Sequence, residues 1–169
     1  MAIQLTTNLL KADMPYPFNK ESGKKFKQVY KLFENGNKRA ISEILKAAAR
    51  YSQLPHFLNL AWQYYDEAGM KEEAVNILRQ LEQKFPLFIF ARINGSMEAF
   101  LAKDAEKMQG ALGEELRIES LYPERKLFHT SEYLTYTRAV MLYYSFAFAG
   151  VLHLQISALA GVPCSRAVA

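Results

Sequence analysis

Apolar residues recur at helical spacing along most of the chain. In residues 22–52, two apolar stripes at three- and four-residue intervals are separated by the polar break Asn35-Gly36-Asn37. Such intervals place side chains on one face of a helix, and a glycine-containing break ends a helix. The pattern therefore predicts two antiparallel helices joined by a tight turn. The two stripes are Phe26, Val29, Tyr30 and Phe33, followed by Ile41, Ile44, Leu45 and Ala48.

The same plan recurs in the next two segments. Residues 58–85 carry two stripes on either side of Ala68-Gly69-Met70, and residues 89–116 form a third pair that turns near Lys103-Asp104. Each segment is long enough for two short helices and an intervening turn. The stripes of the second pair are Leu58, Ala61, Trp62 and Tyr65, followed by Ala74, Ile77, Leu78 and Leu81.

The segments at either end of these pairs have weaker patterns. Residues 1–19 lack sustained periodicity and end near two prolines, which remove backbone donors, so they predict an N-terminal arm. Residues 119–130 predict a longer connection. Helical spacing then returns from Tyr133 to Gly150. The predicted organisation is an arm (1–19), a helical-repeat domain (20–162) and a C-terminal tail (163–169).

The C-terminal stretch contains the sharpest competing signal. From Ala139 to Ser165 there are 27 residues without Lys, Arg, Asp or Glu, which is long enough to span a bilayer. A tail-anchored membrane adaptor is therefore an alternative. We favour two shorter packed helices that turn at Gly150, because several tyrosines and other polar residues interrupt the stretch.

The turn markers point to a repeat. Gly36, Gly69 and Lys103 are 33 and then 34 residues apart, and helical hairpins at a period near 34 are typical of stacked repeats. Residues 58–86 resemble a tetratricopeptide repeat, with one well-matched unit and two or three degenerate ones along the chain. The resemblance implies an all-α fold of antiparallel helical hairpins, stacked as a short right-handed TPR-like solenoid. The matching residues are Leu58, Ala61, Trp62, Tyr65, Gly69, Ala74, Leu78 and Pro86.

The resemblance also implies a binding surface. Such families bind extended peptides or partner proteins along a concave face lined by the first helix of each pair. By position in the repeat, this implies one polar and one apolar set of partner-binding residues. The C-terminal helix is an alternative cover for the apolar set, and we favour that cover. The polar set is His56, Asn59, Gln63, Asp66 and Glu67, and the apolar set is Phe90, Ile93, Met97 and Phe100.

The charge is unevenly distributed. The total is +4, but residues 1–54 carry ten Lys or Arg against four Asp or Glu, so this part alone is +6. Nucleic-acid binding, with Tyr30, Phe33 and Tyr51 available for base stacking, is therefore an alternative that predicts strongly salt-dependent affinity. We favour a solvated helix face, since these rings fall largely on the apolar stripes.

The residues that carry enzymatic chemistry do not form a recognisable pattern. The three histidines, His56, His129 and His153, are far apart, and no two of them have the four-residue spacing of zinc-binding histidines on a helix. The single Cys164 forms no internal disulfide, which favours the cytoplasm. We therefore expect a non-enzymatic protein-interaction module with no catalytic residue, cofactor or metal, and leave its oligomeric state open.

Overall fold

The computed structural model describes residues 3–8 and 12–159, and this part contains eight helices and two short strands. Helices account for 68% of the structure, so the predicted predominantly helical class is confirmed. In chain order the elements are β1 (Gln4–Thr6), α1 (Lys20–Glu34), α2 (Ala40–Arg50), α3 (Pro55–Glu67), α4 (Lys71–Lys84), α5 (Ile89–Leu101), α6 (Ala105–Leu112), α7 (Ile118–Leu121), β2 (Leu127–His129) and α8 (Thr130–Leu159).

Three hairpins, α1–α2, α3–α4 and α5–α6, close through the same turn. In each, a residue with positive φ donates its N–H to the carbonyl three residues back, and the next residue donates to the carbonyl five residues back. This is the Schellman motif that ends many helices. The residues with positive φ are Gly36 (61°), Gly69 (71°) and Lys103 (59°), so the three predicted turns and their spacing are confirmed.

Lys103 occupies a backbone conformation that strains an L-residue. We expect Lys103→Gly to raise the free energy of unfolding by about 0.5–1 kcal/mol, because relief of the strain exceeds the extra entropy of an unfolded glycine. Urea denaturation measures the change. Gly69→Ala is the matched control: a Cβ there would meet no described atom within 4 Å, so it should lose about 1 kcal/mol through backbone strain alone. Destabilisation by Lys103→Gly would contradict the positive φ.

The hairpins pack in series to form the first part of the core. Helix α2 packs against α3, and α4 packs against α5. Removing a large apolar side chain from water contributes about 1.5–3 kcal/mol. The most fully enclosed apolar side chains of the first two hairpins are Val29, Ile44, Phe57, Leu60 and Leu81.

The third hairpin contributes to a second part of the core with the elements that follow it. Helices α5 and α6 both pack against α8, and α7 and β2 complete the cluster. Its fully enclosed side chains are Ile89, Met108, Leu112, Ile118 and Phe128.

The buried faces match the predicted stripes to different degrees. All four stripe residues of α4 are buried, as expected. On α3, however, Trp62 is only partly buried, whereas Phe57 and Leu60, which lie outside the predicted stripe, are completely enclosed. Helix α3 packs against both α2 and α4, and a helix with two neighbours buries more than one stripe.

The described part of the N-terminal segment contacts the residues that immediately precede α8. Strand β1 pairs in parallel with β2, a structure that the predicted arm and connection did not include. The Asp13 carboxylate accepts hydrogen bonds from the N–H groups of Lys126 (3.3 Å) and Leu127 (3.0 Å). Strands this short leave no detectable alternation in a sequence, and the pairing depends on a distant partner.

Helix α8 corrects the prediction for the C-terminal stretch. The predicted break at Gly150 and the separate helix after it are wrong, because α8 continues from Thr130 to Leu159. A single glycine costs a helix only about 1 kcal/mol, and no proline interrupts these residues. No helix in the described part of the chain combines the length and apolar character needed to cross a membrane. The predicted tail and Cys164 lie outside the described residues.

Candidate binding site

A pocket of about 430 Å³ lies between α1, α3, the start of α5 and the start of α8. Its volume is within the range of about 300–1,000 Å³ that is usual for ligand pockets. Aromatic rings form much of its wall, so we refer to it as the aromatic pocket. Its lining residues are Phe26, Lys27, Tyr30, His56, Asn59, Leu60, Gln63, Phe88, Phe90, His129, Ser131 and Thr135.

The aromatic pocket brings together four of the nine predicted partner-binding residues: His56, Asn59, Gln63 and Phe90. The first three share one face of α3, and Phe90 comes from the first turn of α5. Asp66 and Glu67 are exposed at the end of α3 and do not line this pocket.

Two of the other predicted residues of α5, Ile93 and Phe100, pack with residues of the C-terminal helix. Ile93 is 4% exposed and lies in the core cluster that α8 helps to form. The Phe100 ring lies 5.7 Å from the ring of Phe146 on α8, and Met97 is partly buried. Helix α8 therefore covers this part of α5, as the sequence-based alternative expected.

His56 is enclosed by aromatic rings. Its ring centroid lies 4.2 Å from that of Phe18 and 5.0 Å from that of Phe88, and the residue is only 7% exposed. Burial lowers the pKa of His56 from 6.5 to about 3, so the imidazole is neutral at neutral pH. Its Nδ1 is buried and has no hydrogen-bond partner among the described residues. A buried polar atom without a hydrogen bond typically lowers the free energy of unfolding by about 1–3 kcal/mol, and such atoms are rare in folded proteins.

Asn59 connects the second and third hairpins and also faces the pocket. Its Oδ1 accepts a hydrogen bond of 3.0 Å from Nδ2 of Asn94 on α5, and both residues are buried. The Nδ2 group of Asn59 and the side chain of Gln63 make no hydrogen bond within the described residues. The pocket therefore has one amide that Asn94 holds in position, that of Asn59, and a second, that of Gln63, and both have hydrogen-bonding groups available to a ligand.

His129 lines the pocket and has a structural role. Its Nδ1 accepts a hydrogen bond from the Ser131 backbone N–H (3.2 Å), so Nε2 is the nitrogen that donates to the Thr7 carbonyl (3.1 Å). Nδ1 also lies 2.7 Å from Ser131 Oγ. His129 therefore caps the start of α8 through Ser131, and both of its ring nitrogens are hydrogen-bonded to backbone groups.

A buried ion pair holds the start of α8 in place. Arg125 donates two hydrogen bonds to the Glu132 carboxylate, at 3.3 Å and 2.8 Å, and their side chains are 8% and 4% exposed. Glu132 also accepts from the backbone N–H of His129, three residues earlier, as the acidic residue of a capping box does. The guanidinium carbon lies 4.2 Å from the centroid of the Phe128 ring. This arrangement fixes the pocket wall that α8 provides.

The sequence-based site lacked the contributions of α1 and α8. Lys27 and Tyr30 lie on the first helix of the first hairpin, so the repeat resemblance contained a usable signal for them. Ser131 and Thr135 are one helical turn apart on α8. No sequence signal identified them, since their place at the pocket depends on how α8 packs against α5 and α6.

No group of three or more His, Cys, Asp or Glu residues within the described part is arranged to hold a metal ion. Comparisons of the chain with protein-family models, curated proteins and solved structures find no match in any of the three.

Proposed function

We propose that this protein is a non-enzymatic, TPR-like interaction module that binds a peptide segment of a partner protein in the aromatic pocket. The observation that carries the proposal is an open aromatic pocket containing unused hydrogen-bonding groups on Asn59 and Gln63. Ligand sites commonly combine apolar walls with a few fixed polar groups. The proposed compartment is the cytoplasm.

The contributing elements support a concave binding face. Helices α1, α3 and α5 are the first helices of the three hairpins, and all three line the pocket. The equivalent turns at Gly36, Gly69 and Lys103 support a repeated hairpin unit. In this proposal the hairpins stack as a short right-handed solenoid and present their first helices to the ligand.

The lining residues define how a peptide would bind. A large apolar side chain would pack against Phe88 and Phe90, and the amides of Asn59 and Gln63 would bond to the peptide backbone. Burying an aromatic or large aliphatic anchor supplies much of the affinity of many interfaces. General acid–base catalysis needs a group free to transfer a proton. His129 is engaged as a cap and His56 is enclosed, which supports binding rather than catalysis.

The ring contacts favour a peptide over a nucleic acid. Base stacking needs free ring faces. Two of the three rings required by the nucleic-acid alternative are partly buried and pack against other rings, Phe33 on Tyr64 and Tyr51 on Phe57. Tyr30 is 39% exposed and has Phe26 beside it.

The proposal predicts that filling the pocket weakens peptide binding. Short peptides selected from a random phage-displayed library would be synthesised and titrated by calorimetry. Gln63→Trp places a large ring at the pocket wall and should weaken binding at least about tenfold, which is about 1.4 kcal/mol. Gln80→Trp is the matched control, because Gln80 is also a partly buried helical glutamine but does not line the pocket. It should leave affinity unchanged.

Two results would contradict the proposal. One is the failure of the library to yield any peptide that binds the folded protein. The other is equal weakening by Gln63→Trp and Gln80→Trp, which would place binding elsewhere. Circular dichroism of each variant establishes that it is folded before its affinity is compared.

A further inference from the structure

A second cavity, of about 530 Å³, lies along α1 beside the aromatic pocket. The two cavities share Phe26 and Lys27, so they adjoin at this point on α1. Lys20 and Lys24 line the second cavity, together with Thr7 and Phe18 of the N-terminal segment. We refer to it as the lysine cleft. The aromatic pocket and the lysine cleft together form a groove with an apolar part and a basic part.

The lysine cleft carries positive charge that the described residues do not neutralise. Lys20, Lys24 and Lys27 are exposed and follow one another at helical spacing, which places them on one face of α1. None of them forms an ion pair in the described structure, and no carboxylate lines the cleft. By contrast, Lys25 on another face of α1 lies 3.3 Å from the Glu43 carboxylate. The cleft is therefore an attractive surface for negative charge.

We infer that the peptide bound by this protein is acidic, with its carboxylates along the lysine cleft and its apolar anchor in the aromatic pocket. This inference rests on the proposed function and adds the chemical class of the partner segment. Complementary charge mainly increases association rate and specificity. A peptide with an apolar anchor followed by Asp or Glu residues contacts the aromatic pocket and the lysine cleft at the same time.

The geometry of α1 sets the spacing of the acidic residues. From Lys20 to Lys27 the helix rises about 10 Å at 1.5 Å per residue. An extended peptide covers that length with about three residues. The carboxylates are therefore expected within about three to five positions of the anchor. The lysines bind Asp or Glu side chains in this proposal, not a terminal carboxylate. The bound segment therefore need not lie at either end of the partner protein.

A nucleic acid would use only part of this groove. Its phosphates would pair with the lysines, whereas the aromatic pocket is lined by amides and by rings that pack on one another. An anchored acidic peptide engages both the lysines and the pocket, which is why it is the favoured occupant.

The test uses short peptides with acetylated and amidated ends and one tryptophan anchor, flanked on one side by Glu, Gln or Lys. Fluorescence anisotropy gives their affinities for the wild-type protein, for Lys20→Glu/Lys24→Glu and for the control Lys71→Glu/Lys84→Glu. The two reversed lysines line only the cleft, and the control lysines are exposed on α4. The Glu peptides should bind the wild type about tenfold more tightly than the Gln peptides. That preference should fall below about twofold in Lys20→Glu/Lys24→Glu, and should persist in the control.

Salt dependence and the pocket-filling variant Gln63→Trp distinguish failure of the acidic inference from failure of the proposed function. The preference for Glu peptides should shrink between about 50 and 200 mM salt, since exposed charges are screened. Equal binding of Glu and Gln peptides, still lost in Gln63→Trp, would overturn the acidic inference and leave the proposed function standing. Failure of all peptides and of the library selection would overturn both. Lysine-dependent binding of a labelled single-stranded RNA that Gln63→Trp does not affect would instead assign the cleft to nucleic acid.

Discussion

Arg125→Met is expected to lower the free energy of unfolding by about 3–5 kcal/mol, the usual effect of breaking a buried ion pair. The Glu132 carboxylate is 4% exposed and would lose its charged partner without gaining water. The substitution keeps an unbranched apolar chain of similar length against Phe128, so the loss of charge pairing dominates the result. Urea denaturation monitored by circular dichroism measures the change.

An exposed pair provides the matched control. Arg117 and Glu119 lie 3.6 Å apart, and their side chains are 65% and 35% exposed. Exposed pairs contribute about 0–1 kcal/mol, so Arg117→Met should change stability by no more than that. A similar small change in Arg125→Met would mean that Glu132 reaches water when its partner is removed, contrary to its position in the structure.

The double variant Arg125→Met/Glu132→Leu separates charge burial from packing. Replacing both partners with apolar groups removes the stranded charge, so much of the loss should be recovered. Recovery should remain incomplete by about 0.5–2 kcal/mol, because Glu132 also accepts the backbone N–H of His129 at the start of α8.

Acidification from neutral pH to about pH 5 should cost about 2 kcal/mol of stability through His56 alone. The pKa of His56 is about 3 in the folded protein, below its ordinary value of 6.5. As pH falls, the unfolded chain therefore binds this proton first, and protonation favours unfolding. The effect is absent above about pH 6.5 and grows by about 1.4 kcal/mol per pH unit down to about pH 3.

His56→Phe tests the contribution of this ring. Phenylalanine cannot be protonated, and its ring suits a site between Phe18 and Phe88. The variant should lose about 2 kcal/mol less than the wild type between about pH 7 and pH 5. The carboxylates are the same in both proteins, so their titration cancels in this difference. Parallel stability curves for the two proteins would show that His56 is protonated while folded.

The candidate site depends on contacts that bring distant parts of the chain together. The N-terminal segment contributes Phe18, which packs against His56, and Thr7, whose carbonyl accepts the hydrogen bond from His129 122 residues away. The pocket is therefore built from α1, α3, α5 and α8. The segment that precedes α1 contacts two of the lining residues, His56 and His129.

The hairpins and part of the site were predictable because their signals are local. Gly36 and Gly69 mark turns that need positive φ, and the stripe of α4 is buried as its spacing predicted. His56, Asn59 and Gln63 share a face of α3 because they lie three and four residues apart, a relation that any helix imposes.

The remaining features depend on long-range packing. The sequence by itself determined the six helices of the three hairpins, their turns and the period of the hairpins, since backbone hydrogen bonds and apolar spacing act over a few residues. Only the tertiary structure decided that Glu132 is paired with Arg125 and that β1 joins β2. Each depends on free energy from contacts between neighbouring elements in space, which local propensity does not contain.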